Sequence, residues 1–440
     1  MKVETEADSP PRRGAGRERG RGACEGGAAA REKARGGLPF LLAALSAIGP
    51  FSIDAYLPSF REIGERFGAS PMLVQQTLTA YFVPFAVMTL WHGVMSDVFG
   101  RRRVTLVLLA AYGVASLGCL CAWSIEALIF FRALQGMSAG AGVVIGRAIV
   151  RDLFDGVEAR RLMSRVAAVF AVAPAIAPVV GGWLHAWFGW RSVFGLLVVM
   201  AAALWLACRR WLPETLPPRA RQPLRVGPVL RGYGKALGSG RFVALALALA
   251  LNFSAVFVYI ASAPTFVVDV LHRSETGFLW LFGPVTIGLL LGARWAATVA
   301  GRWGNLRTIA VAYAVMAAAV ALNLGFHAWH EAALPWSVAP LALYVVGNSL
   351  AAPSLTLMAL DLMPENRGLA ASCQGFVQTS GNAAVAAAVA PLFWSGARSL
   401  SLGMALVFVA GGLAFLVYFS RRRRSSREIW GGAALSARAD

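Results

Sequence analysis

Twelve runs of roughly 20 apolar residues divide this chain, each long enough to cross about 30 Å of hydrocarbon as a helix. They lie near Leu38–Pro58, Pro71–Met95, Val104–Ala122, Ala127–Ile149, Leu162–Leu184, Ser192–Leu212, Phe242–Ala263, Gly277–Ala300, Thr308–Phe326, Trp336–Leu360, Leu369–Phe393 and Leu402–Ser420. Membrane barrel strands are about 10 residues long and alternate in polarity, whereas these runs are longer and apolar all round. Composition agrees: 58% of residues are hydrophobic and 14% charged, against about 25% charged in an ordinary soluble domain. Too few charges remain to coat several globular surfaces, which excludes a soluble enzyme and a disordered protein. The expected fold class is all-α and integral to the membrane.

A formal net charge of +19 raises the question of a nucleic-acid partner, and its placement argues against one. With a cytoplasmic N-terminus, most basic residues fall on the cytoplasmic side. They sit before Gly37, at Arg101 to Arg103, at Arg151, Arg160 and Arg161, between Arg209 and Arg241, and from Arg421 on. The opposite side holds only Arg61, Arg66, Arg191, Arg273 and Arg398. This asymmetry sets topology and puts both termini in the cytoplasm, where basic segments meet anionic headgroups. Residues 1–37 lack apolar periodicity and any short apolar leader, so they read as a disordered cytoplasmic tail. Residues 421–440 read as a second tail. The five cysteines show no metal-ligand spacing and read as small core residues.

Residues 213–241 form the longest break between spans, rich in Arg and Pro, and divide the runs six and six: an N-terminal bundle over 38–212 and a C-terminal one over 242–420. The halves echo one another. Phe99-Gly100 before Arg103 parallels Trp303-Gly304 before Arg307, and Arg151-Asp152-Leu153 parallels Leu360-Asp361-Leu362. Such an echo fits a duplicated six-helix unit, with substrate bound near the midplane between repeats.

Specific motifs sharpen this. Gly93-Val-Met-Ser-Asp97-Val-Phe-Gly100-Arg101-Arg102-Arg103 joins the second and third spans. It resembles the G-x-L-x-D-x-x-G-R-[KR] signature of the major facilitator superfamily, with Met95 at the usual Leu position and Val98 where a basic residue is common. Arg132-Ala-Leu-Gln135-Gly136 is similar to that superfamily's R-x-x-Q-G signature. Pro174-Ala-Ile-Ala-Pro178-Val-Val-Gly181-Gly182 is similar to the G-P-x-x-G-G element of its antiporters, with Pro174 in place of the upstream Gly. Pro50-Phe-Ser-Ile-Asp54-Ala-Tyr56-Leu-Pro58 resembles the P-x-S-I-D-M-Y-L-P element of the Bcr/CflA drug-resistance exporters, with Ala55 replacing Met. Pro213-Glu214-Thr215-Leu216-Pro217-Pro218 and Arg147-Ala-Ile-Val-Arg151-Asp152 also resemble that group. The resemblance covers residues 38 to about 420. It implies twelve helices in two six-helix bundles, a bacterial inner-membrane location, and efflux of drugs exchanged for protons by alternating access, with the monomer as the working unit.

An ionisable residue inside a membrane is costly, on the order of 3 kcal/mol or more, and marks function by default. Asp54 and Arg132 fall at similar depths near the outer side, roughly 6 and 8 Å in, and neighbouring first and fourth spans would let them meet. Desolvation and a nearby Arg act on the carboxyl in opposite senses. Asp54 is therefore the candidate proton carrier, with Arg132 as its partner. The alternatives are a helix cap or simple ion pair for Asp54 and a pin to backbone carbonyls for Arg132. Gln135, one turn on, shares the Arg132 face. Gly93, Asp97, Gly100, Arg101, Arg102 and Asp152 at the cytoplasmic boundary are expected to form a conformational gate that holds the outward-open state, or else a static bridge. Pro174, Pro178, Gly181 and Gly182 are the candidate antiporter hinge, through helix kinking and close helix approach, with plain packing as the alternative.

Candidate substrate contacts are Tyr56, Tyr81, Gln135, Asn252, Tyr259, Asn348, Gln374, Gln378 and Asn382, each equally readable as a helix–helix hydrogen bond. The expected partners are a small-molecule drug, protons and the bilayer. A narrow exporter, an uptake permease and a non-transporting receptor remain rivals. A membrane enzyme is disfavoured: no His-Glu-x-x-His run, nucleophile motif or phosphate loop occurs, and no cofactor or metal is expected.

Overall fold

The computed structural model describes residues 37–436, apart from 155, 222, 224 and 225; the expected N-terminal tail, Gly37 excepted, lies outside them. The spanning helices are α1 (Gly37–Phe67), α2 (Pro71–Phe99), α3 (Arg101–Leu120), α4 (Ile125–Leu153), α5 (Gly156–Phe188) and α6 (Arg191–Trp211). The second half holds α7 (Gly240–Ala261), α8 (Leu279–Val299), α9 (Asn305–Trp329), α10 (Ala339–Asp361), α11 (Arg367–Ala384) and α12 (Ala397–Arg421). Among the described residues, 11 helices are long and apolar enough to cross a membrane. The twelfth, α11, is cut short by a π turn at Val385–Val389 and diluted by Gln374, Gln378 and Asn382, yet it completes the pattern of two bundles.

Local chemistry sets the ends. Ser70, Ser124 and Ser239 cap α2, α4 and α7 by accepting from the backbone N–H three residues on. Pro71 opens α2, where its missing donor costs nothing. Gly100 turns the chain from α2 to α3 at φ +97°, a conformation that excludes a side chain. Two spans are interrupted. In α1 the helix stops after Asp54, passes a 3₁₀ turn at Leu57–Ser59 that includes Pro58, and resumes over Phe60–Phe67. In α4 it is interrupted at Gly140.

The N-terminal bundle packs chiefly through α2 on α4 and α3 on both α4 and α6; the C-terminal bundle through α7 on α12 and α10 on both α8 and α9. The bundles meet along α2 with α11 and α5 with α8. The linker contains a helix, Val226–Gly238, that lies against α7 and α11. Its Tyr233 hydroxyl donates to the Leu90 carbonyl of α2 at 2.6 Å, and burial pushes that phenol up to about 12. The linker thus touches both bundles, a role its Arg- and Pro-rich composition did not announce.

Candidate functional site

The break in α1 brings a polar cluster together inside the N-terminal bundle. Asp54 is 5% exposed and Arg132 fully buried. Arg132 Nη1 donates to the Ser52 carbonyl at 3.1 Å and to Gln135 Oε1 at 2.5 Å. Gln135 Nε2 donates to Ser116 Oγ at 2.8 Å. The Tyr112 hydroxyl bonds Ser52 Oγ, which itself donates to the Ile48 carbonyl at 2.7 Å. The guanidinium carbon sits 4.9 Å from the Tyr56 ring centroid and 4.4 Å from that of Tyr81, so two aromatic faces share the charge. Tyr56 is fixed in turn by a 2.6 Å bond to Thr77. Four helices, α1 to α4, therefore converge on one cation.

The expected meeting of Asp54 and Arg132 does not occur as an ion pair. The Ser52 carbonyl and Gln135 take Nη1, while Nε and Nη2 have no hydrogen-bond partner. The reason is the α1 break: unwinding after Asp54 frees a carbonyl that a guanidinium satisfies well. The bond to a backbone carbonyl is the contact that the pin alternative requires. The Tyr81 side chain is fully buried as well.

At the end away from the Arg-rich turns the two bundles touch. Gln75 Nε2 in α2 donates to the Ala261 carbonyl at the end of α7 (3.3 Å) and to the Ala386 carbonyl in the π turn after α11 (3.2 Å). Helix ends and π turns expose such carbonyls. Phe82 of α2 meets Phe257 of α7 edge-on at 5.4 Å between centroids. Gly181 of α5 abuts the Ala55 carbonyl, and Gly182 abuts the Glu275 carbonyl of the loop between α7 and α8. A Cβ at either glycine would collide with backbone. Pro174 and Pro178 lie inside a helix that continues unbroken past both.

At the Arg-rich end, Arg101 joins Asp97, Asp152 Oδ2 at 3.1 Å and Ser96 Oγ at 2.6 Å. Arg102 donates to the Arg209 carbonyl at the end of α6 (2.6 Å). A Cβ added at Gly93 would come into ordinary contact with Val144 of α4. Two residues outside the candidate gate complete the cluster. Glu214 Oε1 accepts from the Arg101 backbone N–H at 2.9 Å, and Thr215 donates to Asp152 at 2.8 Å. Their signal was the Pro213-Glu214-Thr215 run. All of this cluster belongs to the N-terminal bundle and the segment just after it.

The remaining candidates divide. Asn348 and Gln378 line a cavity of about 250 Å³ among α7, α8, α10 and α11, with Phe253, Ser349 and Thr356 and no charged residue. Gln374 donates to Thr356 beside it at 3.3 Å. Asn252 donates to Tyr313, Tyr259 accepts from Asn323, and Asn382 accepts from Ser254, so these three tie helices of the C-terminal bundle together. Among the described residues no group of His, Cys, Asp and Glu is arranged to hold a metal.

A family model described as Major Facilitator Superfamily matches residues 40–386. The chain is 31% identical over 395 residues to the Uncharacterized MFS-type transporter YdgK of Bacillus subtilis (strain 168), across 88% of this chain and 96% of that one. It is 27% identical over 396 residues to Multidrug resistance protein D of Escherichia coli (strain K12), across 89% and 98%. A solved D-xylose-proton symporter shares the fold at a TM-score of 0.65 and 16% identity, over 86% of this chain and 97% of that one. Two six-helix bundles, the signature turn closed by Gly100 and the match over most of the sequence agree: the chain belongs to the Major Facilitator Superfamily.

Proposed function

We propose that this protein exports amphipathic drugs across the bacterial inner membrane in exchange for protons, by alternating access of two six-helix bundles, with both termini in the cytoplasm and the monomer as the working unit. Asp54 carries the proton. The observation that bears most weight is its placement: a buried carboxyl without a cationic partner, at the break of α1, one residue from the Ala55 carbonyl against which α5 seals. Such a carboxyl keeps its charge only while water reaches it, so its protonation follows the opening and closing of the cavity. Arg132 holds the α1 break and supplies a fixed positive field. The relative named for multidrug resistance supports drugs as substrates.

The uncharged cavity bordered by Asn348 and Gln378 is the drug site. Amide groups and apolar walls suit varied amphipathic molecules, because few fixed polar contacts are demanded. The gate at Arg101 locks the cytoplasmic ends of α2, α3 and α4 as one body, so that the bundle rocks as a unit.

The test is a drug-susceptibility panel in an efflux-deficient host, comparing wild type with Asp54→Asn. Loss of protection across several compounds supports proton-driven multidrug export. Protection retained by the variant sinks it. Protection against one compound alone points to a narrow exporter.

A further inference from the structure

A second cavity, about 550 Å³, lies at the Arg-rich end of the C-terminal bundle. It is lined by Arg241 at the start of α7, by Gly304, Asn305 and Arg307 at the start of α9, by Asp361 at the end of α10 and by Tyr418 of α12. The drug and proton sites use none of these residues. Their chemistry is that of an anion site. Asn305 opens a 25-residue helix whose first turn holds no acidic residue and no side-chain cap, so its positive end is free. Among the described residues neither Arg241 nor Arg307 has an ion pair; Arg307 only stacks on Trp303 at 4.9 Å. Asp361 is engaged by Arg367 at 3.1 Å. Tyr418 is 6% exposed and lines the cavity, and its hydroxyl makes no hydrogen bond among the described residues.

The internal repeat shows what such a place holds. In the first half, the matching position is the start of α3 after Gly100, bordered by Asp152. There the Glu214 carboxylate accepts from the Arg101 backbone N–H at 2.9 Å and lies 3.8 Å from Arg221. The chain supplies its own anion to that helix end. In the second half the same frame, with Gly304 for Gly100 and Asp361 for Asp152, surrounds an open cavity with two arginines and a buried phenol.

We propose that this cavity binds the phosphate of an anionic phospholipid of the cytoplasmic leaflet. This rests on the orientation given above, which puts α7, α9, α10 and α12 at headgroup level here. Arg guanidinium groups match a phosphate two bonds at a time. Helix N-termini bind phosphate through free N–H groups, and the phenol adds a neutral donor. The bound lipid stands in for Glu214 and locks the second gate as that carboxylate locks the first.

The experiment uses full-length protein, delipidated and placed in phosphatidylcholine nanodiscs with or without phosphatidylglycerol. Native mass spectrometry then counts retained phosphatidylglycerol. Wild type is expected to retain phosphatidylglycerol with an affinity at least about tenfold above that of Arg241→Gln/Arg307→Gln, because the double variant loses the charged donors to the phosphate. Tyr418→Phe, which preserves packing, is expected to weaken retention in the same direction. Arg302→Gln removes an exposed neighbouring charge outside the cavity and is expected to retain the lipid as wild type does. Equal loss in Arg302→Gln would show general attraction to basic surface and overturn the site, as would equal retention by wild type and the double variant. Displacement of the lipid by inorganic phosphate would assign the cavity to a free anion and overturn the lipid reading. The readout does not depend on transport, so it stands apart from the test of drug export.

Discussion

Arg132 donates to the main-chain carbonyl of Ser52 at 3.1 Å, two residues before Asp54. The fourth span thereby grips the first just before it unwinds. The same guanidinium is flanked by the rings of Tyr56 and Tyr81, so the position of the Asp54 carboxyl depends on a cation that does not pair with it.

Arg132→Lys follows as a test of that grip. Lysine keeps the charge but cannot reach the Ser52 carbonyl and Gln135 while stacking between two rings. The two hydrogen bonds and the ring contacts contribute about 2–4 kcal/mol together. Drug-driven transport in proteoliposomes is expected to fall at least about tenfold with the fold intact, while Arg132→Leu is expected to reduce the yield of folded protein. Full transport by the lysine variant would leave Arg132 without a positioning role.

Gly181 tests the seal between α5 and α1. A methyl group there meets the Ala55 carbonyl, and overpacking of this kind costs about 1–3 kcal/mol. Gly181→Ala should lower the melting temperature in detergent and slow transport. Gly195→Ala in α6 has open space around it and is the matched control, expected to melt at or above the wild-type temperature.

Gln75 bridges two carbonyls of the opposite bundle, at the end away from the Arg-rich turns. Each bond contributes about 0.5–1.5 kcal/mol, so Gln75→Leu should shift the population towards outward-open by roughly fivefold or more. Distance measurements between spin labels at the outer ends of α1 and α7 report the shift directly. An unchanged distribution would mean that Gln75 only fills space.

Asn348 and Gln378 belong to the uncharged cavity. Asn348→Leu and Gln378→Leu are expected to change which drugs are exported, with proton movement preserved. A uniform loss for every compound would instead mark them as structural.

Much of this was legible from residue order. The apolar runs marked all twelve spans, α11 among them as Leu369–Phe393, but gave no sign of the π turn at Val385–Val389 that cuts it short. Gly100, Asp97 and Arg101 were readable because a turn and a charge pair leave side-chain signatures. The Ser52, Ala261 and Ala386 carbonyls were not, since a backbone acceptor has no letter of its own. Asp54 and Arg132 matched in depth, but depth carries no information on which acceptor a guanidinium takes. What Glu214 and Tyr418 touch was hidden for another reason: each meets residues far away in the chain, Arg101 for the one and the cavity lining at Arg241 and Asn305 for the other.

The most direct test is proton movement itself. Purified wild type and Asp54→Asn are reconstituted into liposomes loaded with a pH-sensitive dye, and a transported drug is added on one side. Wild type is expected to move protons against the drug, and Asp54→Asn to show none while still exchanging drug for drug. Undiminished drug-driven proton movement by Asp54→Asn would contradict the assignment of Asp54 as the carrier.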